Sequence, residues 1–332
     1  PARETITEAL PVGNGRLGAL VHGGTARERL ALNEATLWTG GPYNADSPEA
    51  RVALPELRRL IFAGRFGEAD ELASAKFMGR PLSQSAYQPL GDLLLDFPGH
   101  ERATDYRREL DLDTATARVT YTVDGVRFTR EIFVSAVDQV IVVRLTADKP
   151  GSIDTVLSLA SQQPGIESWR QSVEKWCRSD ELGMRGRNRD FGDIKGALRF
   201  EAAARLLPEG GRVLPGEECV NVRAANALTL IFSAATNYRS WQDLTGEPKE
   251  FVAAALDRAV AKGYATLWRD HLADYQPKFR RLAIALGPQA DAQAGQRPTD
   301  ERIARFARGE DPSFAALYVQ FGRYLLLSTS RP

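Results

Sequence analysis

The chain has 332 residues, of which 43% are hydrophobic, 26% charged and 8% aromatic. That is the composition of a folded globular protein of about two domains at ~100–200 residues each, and it excludes disordered, collagen-like and low-complexity classes. Forty-three basic and 43 acidic residues leave no net charge, so no long-range field draws nucleic acid or an anionic lipid surface to the protein. No stretch is long and apolar enough to be read as a membrane span, and the opening residues do not read as a signal peptide. Cys177 and Cys219 are the only cysteines. They exclude a disulfide scaffold and a cysteine-rich zinc site, and leave open one bridge or two buried thiols.

In chain order, the alternation over residues 19–32, with a turn at Gly23 and Gly24, predicts a strand pair or hairpin. Residues 48–74 change period. Leu54, Leu57, Leu60 and Ile61, then Phe66, Ala69, Leu72 and Ala73, recur at three- and four-residue steps and predict two helices broken at Gly64. After Pro89, Leu90 and Gly91, strand patterns repeat over 93–97, 106–112, 116–123, 126–133 and 140–147, with Asp124-Gly125 as a tight hairpin turn. They return over 152–160, 196–206 and 226–235, a spacing that predicts two packed antiparallel sheets. Between them, residues 161–193 are polar, rich in Arg and Gly, and carry Trp169 and Trp176. They are expected to form a long excursion from the sandwich.

From Pro248 the period is helical, with Phe251, Ala255, Leu256, Ala259, Val260, Tyr264, Leu267, Trp268, His271 and Tyr275 on one face. Residues 282–286 alternate like a further strand, and 287–296 read as a turn-rich linker. Thr299 is the expected cap of a helix over 301–307. Residues 312–328 form a last helix that is apolar nearly all round and therefore calls for partner helices. On that ground the chain is expected to be the front part of a longer protein.

Candidate chemistry is sparse. His22, His100 and His271 stand far apart without metal-ligand spacing. The run Gly13-Asn14-Gly15-Arg16-Leu17-Gly18 imitates a dinucleotide fingerprint, but a strand and turn follow it where the fingerprint needs a helix. There is no GxSxG, P-loop or EF-hand pattern. What remains is the paired-carboxylate chemistry of glycoside cleavage, whose partners sequence does not pair. Glu34 is the one carboxylate in a motif of distinctive shape, Asn33-Glu34-Ala35-Thr36-Leu37-Trp38-Thr39-Gly40-Gly41-Pro42. There Trp38 is either a stacking wall for a sugar ring or a core residue before a turn. A second loop, residues 83–92 with Tyr87 and Gln88, offers hydroxyls and amides suited to sugar hydroxyls or to ordinary loop hydrogen bonds.

Those two loops, together with Leu10-Pro11-Val12-Gly13-Asn14-Gly15-Arg16-Leu17-Gly18-Ala19, resemble the N-terminal part of glycoside hydrolase family 95. His271-Leu272-Ala273-Asp274-Tyr275-Gln276, Pro298-Thr299-Asp300-Glu301-Arg302, residues 317–326 and Ser328-Thr329-Ser330-Arg331-Pro332 follow in the family's order. The resemblance implies a mainly β fold: an N-terminal antiparallel β-sandwich over 1–247 with a helical insertion near 48–75, a helical linker with one short strand over 248–296, and the first helix of an (α/α)6 barrel within 297–332.

It also implies an inverting exo-α-L-fucosidase acting on terminal, α-1,2-linked L-fucose of an oligosaccharide or glycan, without cofactor or metal, in a periplasmic or secreted setting. An α-L-galactosidase of the same family, or a carbohydrate-binding or structural sandwich, is the alternative. The family's general acid Glu and its Asn and Asp groups lie beyond Pro332, so no catalytic residue is assigned and the remainder of the barrel is the expected partner. Trp38, Thr39, Tyr87 and Gln88 are the candidates for the rim of the substrate cleft, and residues 169–193 a solvated crossover, rim loop or interface.

Overall fold

The computed structural model describes residues 1–2, 7–161, 173–286 and 296–331. It opens with strands β1 (Leu10–Gly13), β2 (Leu17–Val21) and β3 (Arg27–Glu34). A helical insertion follows, α1 (Ala50–Phe62) and α2 (Phe66–Leu72), broken around Gly64 as the periodicity predicts. Then come β4 (Gly91–Asp96), β5 (Thr104–Asp111), β6 (Thr116–Val123), β7 (Val126–Ser135), β8 (Val140–Ala147) and β9 (Ile153–Ala160). After them run β10 (Glu174–Cys177), β11 (Glu181–Arg187), β12 (Arg199–Glu209), β13 (Arg212–Pro215), β14 (Cys219–Ala225) and β15 (Ala227–Thr236). The chain then becomes helical: α3 (Pro248–Phe279), α4 (Thr299–Phe306) and α5 (Ser313–Thr329).

All strand pairs are antiparallel, in a seven-stranded sheet of order β1-β2-β3-β4-β9-β14-β13 and an eight-stranded sheet of order β10-β11-β12-β15-β8-β7-β6-β5. The alternate residues Leu30, Leu32, Leu93, Leu95, Leu157 and Leu159 of one sheet meet Val119, Tyr121, Val143, Phe200 and Phe232 of the other in one apolar core. β15 is buried at every position. Its Leu228, Leu230, Phe232 and Ala234 enter that core, while Ile231 and Ala235 lie under Val252, Ala255, Leu256 and Ala259 of α3. A strand covered on both faces reads as continuously apolar, which is why ALTLIFSAAT loses the alternation of its neighbours.

The helical face expected from Phe251 to Tyr275 is interrupted. Gly263 takes φ 70° and ψ 163°, a conformation open to glycine and strained for other residues. The break lets the first half of α3 cover the eight-stranded sheet while the second half brings Tyr275 and Phe279 against Ala115 and Tyr324.

Several expectations are corrected. Residues 282–286 form no strand; instead the Leu282 carbonyl accepts hydrogen bonds from Gln320 (3.0 Å) and Arg323 (2.8 Å) of α5. Part of the expected excursion over 161–193 is sheet, because Leu182 and Met184 are buried and β11 pairs with β12. Here Gly183 is required by the Trp176 ring, which lies 2.1 Å from where a Cβ would stand. Thr299 is the first residue of α4, not its cap; Pro298 holds that place without a side-chain bond. Strands β1, β13 and β14 lie outside the sequence expectation. Trp169 and residues 287–295 of the linker lie outside the described residues. Cys177 and Cys219 are unbridged and half-buried.

Candidate functional site

The site grows from the end of β3. Glu34 is buried there, its Oε2 accepting the Thr36 amide (2.8 Å) and hydroxyl (2.6 Å), with the Arg16 guanidinium 3.5 Å from Oε1. Burial pushes this carboxyl above its ordinary value, against the opposing pull of Thr36 and Arg16. The Thr36 hydroxyl also lies 2.5 Å from that of Thr236 at the end of β15, so the turn after β3 is tied to both sheets. Glu34 is thus a fully engaged anchor of the turn, and Leu37 behind it is buried.

The pinned turn carries Trp38 outward to an isolated antiparallel bridge with Tyr87. Their rings meet edge to face, 5.6 Å apart at 80°, an arrangement favoured by the ring quadrupoles. Trp38 is 38% exposed and Tyr87 37%. The Trp38 indole N–H donates to the Ala35 carbonyl (3.0 Å) and the Tyr87 hydroxyl to Asn33 Oδ1 (2.9 Å). Burial, then the nearby Glu34 charge, holds the Tyr87 phenol protonated well above its usual range.

The other two expected rim residues are placed differently. Thr39 and Gln88 are buried, at 8% and 1% exposure, rather than exposed beside Trp38 and Tyr87. Thr39 exchanges bonds with Ala86, its amide donating at 2.9 Å and its hydroxyl accepting at 3.0 Å. The Gln88 amide donates to the Leu37 carbonyl and its Oε1 accepts from the Arg189 amide, both at 3.0 Å, while Nε2 has no partner among the described residues. Both lock the loop that presents Trp38 and Tyr87.

Sequence reasoning missed Asn188, which does more of this than either. Its Nδ2 donates to the carbonyls of Trp38 and Gly40, both at 2.6 Å, and its Oδ1 accepts from the Leu198 amide at 2.9 Å. It sits just past the end of β11, and no local pattern marks it.

The aromatic pair shares its sheet end with the last helix. The register Leu17↔Glu34 puts the Asn14–Arg16 turn beside the foot of the Trp38 loop, and the Ala35 amide donates to the Arg16 carbonyl at 2.8 Å. That same turn receives the end of α5: the Gly15 amide donates to the Ser328 carbonyl at 2.7 Å, and Arg331 packs over Gly15 while pairing with Asp274 at 2.9 Å. The near-fingerprint around Gly13 is therefore a hairpin turn that docks a helix. His271, Tyr275 and Gln276 of α3 bind Thr114, Leu112 and Asp113 in the β5–β6 turn at 2.8, 2.7 and 3.0 Å.

Among the described residues no group of three or more His, Cys, Asp or Glu is placed to hold a metal ion. A shallow hollow of about 540 Å³ lies over β9 and β14, lined by Ser158, Lys175, Glu217, Glu218 and Cys219 among others. Its Lys175 and Glu218 are ion-paired at 3.1 Å.

Residues 1–241 match the model described as glycosyl hydrolase family 65, N-terminal domain, and residues 263–332 match the glycosyl hydrolase family 95 catalytic domain. The chain is 35% identical to a protein named "Alpha-L-fucosidase 2" from Arabidopsis thaliana, over 98% of this chain and 41% of that protein. It is 29% identical to "Probable alpha-fucosidase A" of Aspergillus niger, over 98% of this chain and 42% of that one. The Aspergillus oryzae protein of the same name is 24% identical over 99% and 46%. The chain thus spans less than half the length of the curated relatives it matches.

Proposed function

This chain belongs to glycoside hydrolase family 95, as its N-terminal portion, and from that premise we propose that it is part of an inverting exo-α-L-fucosidase removing terminal, α-1,2-linked L-fucose from oligosaccharides or glycans. The observation that carries the reading is the alignment of proteins named as fucosidases along 98% of the chain. One structural feature is in keeping with it: the part matched by the N-terminal-domain model and the part matched by the catalytic-domain model are bonded to each other, Gly15 to Ser328 and His271 to Thr114.

On this reading the sandwich braces the catalytic domain and lends Trp38 and Tyr87 to the rim of its cleft, and the 332 residues alone are inactive. Inversion requires an acid on the glycosidic oxygen and an activated water on the opposite face of the sugar, held by two groups about 6.5–9.5 Å apart. The described sandwich presents no such pair around Trp38, since Glu34 is buried and engaged. The setting we propose is periplasmic or extracellular, where fucosylated glycans are met.

Proton NMR of the sugar first released from a fucosyl-α-1,2-galactoside by the full-length protein tests this. β-L-Fucose appearing ahead of its α anomer is expected. α-L-Fucose first would overturn inversion, and release only from an L-galactoside would overturn the sugar assignment.

A further inference from the structure

We propose that Cys177 and Cys219 are a redox pair, which in an oxidising setting closes a disulfide tying the eight-stranded sheet to the seven-stranded one at a margin of the sandwich. The inference stands apart from the sugar the protein acts on. It begins with topology. β10, which ends at Cys177, is the outermost strand of the eight-stranded sheet, and β14, which begins at Cys219, is the last strand but one of the other. Two cysteines far apart in sequence are thus carried one on each sheet.

Side-chain contacts bring those two strands together. Lys175 stands two residues before Cys177, on the same side of β10 by strand alternation, and reaches across to Glu218, the residue before Cys219, at 3.1 Å. Trp176 between them packs on the opposite face, with the cluster under α3. Cys177 packs against the core between the sheets, to which Val220, the residue after Cys219, also belongs. Burial first, and then the Cys219 thiol, pushes the Cys177 thiol above its ordinary value, so the two sulfurs lie within electrostatic reach of each other. Both are half-buried thiols. Cys219 lines the hollow over β9 and β14 together with Lys175 and Ser158, which opens one member of the pair to a small oxidant.

The oxidant is a disulfide, the class of reagent that exchanges with thiols in oxidising compartments. The Cys219 thiolate, its proton lost to water, attacks that disulfide and one thiolate leaves, giving a mixed disulfide. The Cys177 thiolate, formed in the same way, then attacks the Cys219 sulfur and expels the second. Two cysteine thiols lose two electrons and two protons, and one disulfide is reduced to two thiols. Because burial keeps Cys177 protonated, its step is the slower one and quickens as pH rises. The Lys175–Glu218 link already at this margin joins side chains 29% and 70% exposed, and a pair so exposed to water adds little stability. A covalent link acts instead on the unfolded chain, by restricting it.

The test treats the dilute, unsubstituted 332-residue chain with glutathione disulfide at about pH 8.5, where thiolates form, then alkylates it in denaturant and weighs it. The expected product is a single chain lighter by about 2 Da, with both thiols closed to alkylation until dithiothreitol reopens them. A proteolytic fragment joining Cys177 to Cys219 identifies the bond. The oxidised chain is expected to unfold about 5 °C above the reduced one, and Cys219→Ser to abolish both the mass loss and the rise. Thiols that remain open to alkylation, glutathione retained on either cysteine, or a link between two chains would overturn the pair. So would a linked form that unfolds no higher than the dithiol, because the bridge would then close by distorting the sandwich.

Discussion

The sandwich and the helical end of the chain are stabilised in different ways. Within the sandwich, Arg130 and Glu28 form an ion pair at 3.2 Å with side chains 2% and 1% exposed. Arg130 also donates to the Tyr121 hydroxyl (2.6 Å) and the Thr25 carbonyl (2.7 Å), and its guanidinium lies 4.0 Å from the centre of the Phe97 ring. All of these partners come from the sandwich. At the helical end, Ala115, Tyr275, Phe279 and Tyr324 are the buried members of their cluster, while Tyr318 is 70% and Leu326 65% exposed on α5. That helix is held by polar contacts to the first hairpin: the Tyr324 hydroxyl donates to the Pro11 carbonyl at 2.6 Å, and Gly15 donates to Ser328. The difference teaches that the sandwich closes on itself, whereas α5 is positioned from outside, by the first hairpin and by the end of α3.

The largest effect is expected at the ion pair. Arg130→Met leaves Glu28 buried without its cation, a change that costs about 3–5 kcal/mol when one partner of a buried pair is removed, measured by urea unfolding. Burial already pushes the Glu28 carboxyl above its ordinary value, against the pull of Arg130. A folded-state value above the unfolded one means that the contribution is present at low pH and is lost as pH rises through the folded value, so the variant should recover part of its stability in acid. A loss well under 1 kcal/mol would contradict the closed-core account.

Substitutions at the junction are expected to act more locally. A Cβ at Gly13 would stand 2.8 Å from the Ser328 carbonyl oxygen, so Gly13→Ala forces α5 away at a cost of about 1–3 kcal/mol. Hydrogen exchange should rise across α5 and stay low in β12 and β15. Tyr324→Phe strips the donor from the Pro11 carbonyl and should give the same pattern at about 1–3 kcal/mol. Equal deprotection of sandwich strands would erase the distinction between the two regions.

The smallest expected effect is on pH dependence. Burial holds the His271 imidazole below its ordinary value, opposed by its bond to the Thr114 carbonyl. The unfolded chain therefore binds the proton first, and stability contributed by neutral His271 is full above about pH 6.5 and falls as pH drops below it. His271→Gln should flatten that slope in thermal unfolding followed between pH 7 and 5. An unchanged slope would place the titration elsewhere.

Much of the fold was legible because burial on one face leaves a period. Leu30 and Leu32, or Val119 and Tyr121, mark strands, and Val252, Ala255, Leu256 and Ala259 mark a helix. The edge strands β1 and β13 were not, since each is four residues long and carries a proline, which edge positions tolerate and strand patterns penalise. The break at Gly263 was hidden because the apolar spacing continues across it. At the site, Trp38 and Tyr87 stood out as aromatic residues in turn-rich loops. Thr39 and Gln88 looked equivalent to them because their burial is imposed by Asn188, Arg189 and the segment around them, a hundred residues away in sequence.

The most direct test of the central claim is fucose release from 2′-fucosyllactose by this 332-residue chain and by the same protein carried on to the full length of its relatives. The account predicts release by the longer protein alone, with the sandwich folded in both. Release by the 332-residue chain would contradict it and return the chemistry to Glu34 and its neighbours.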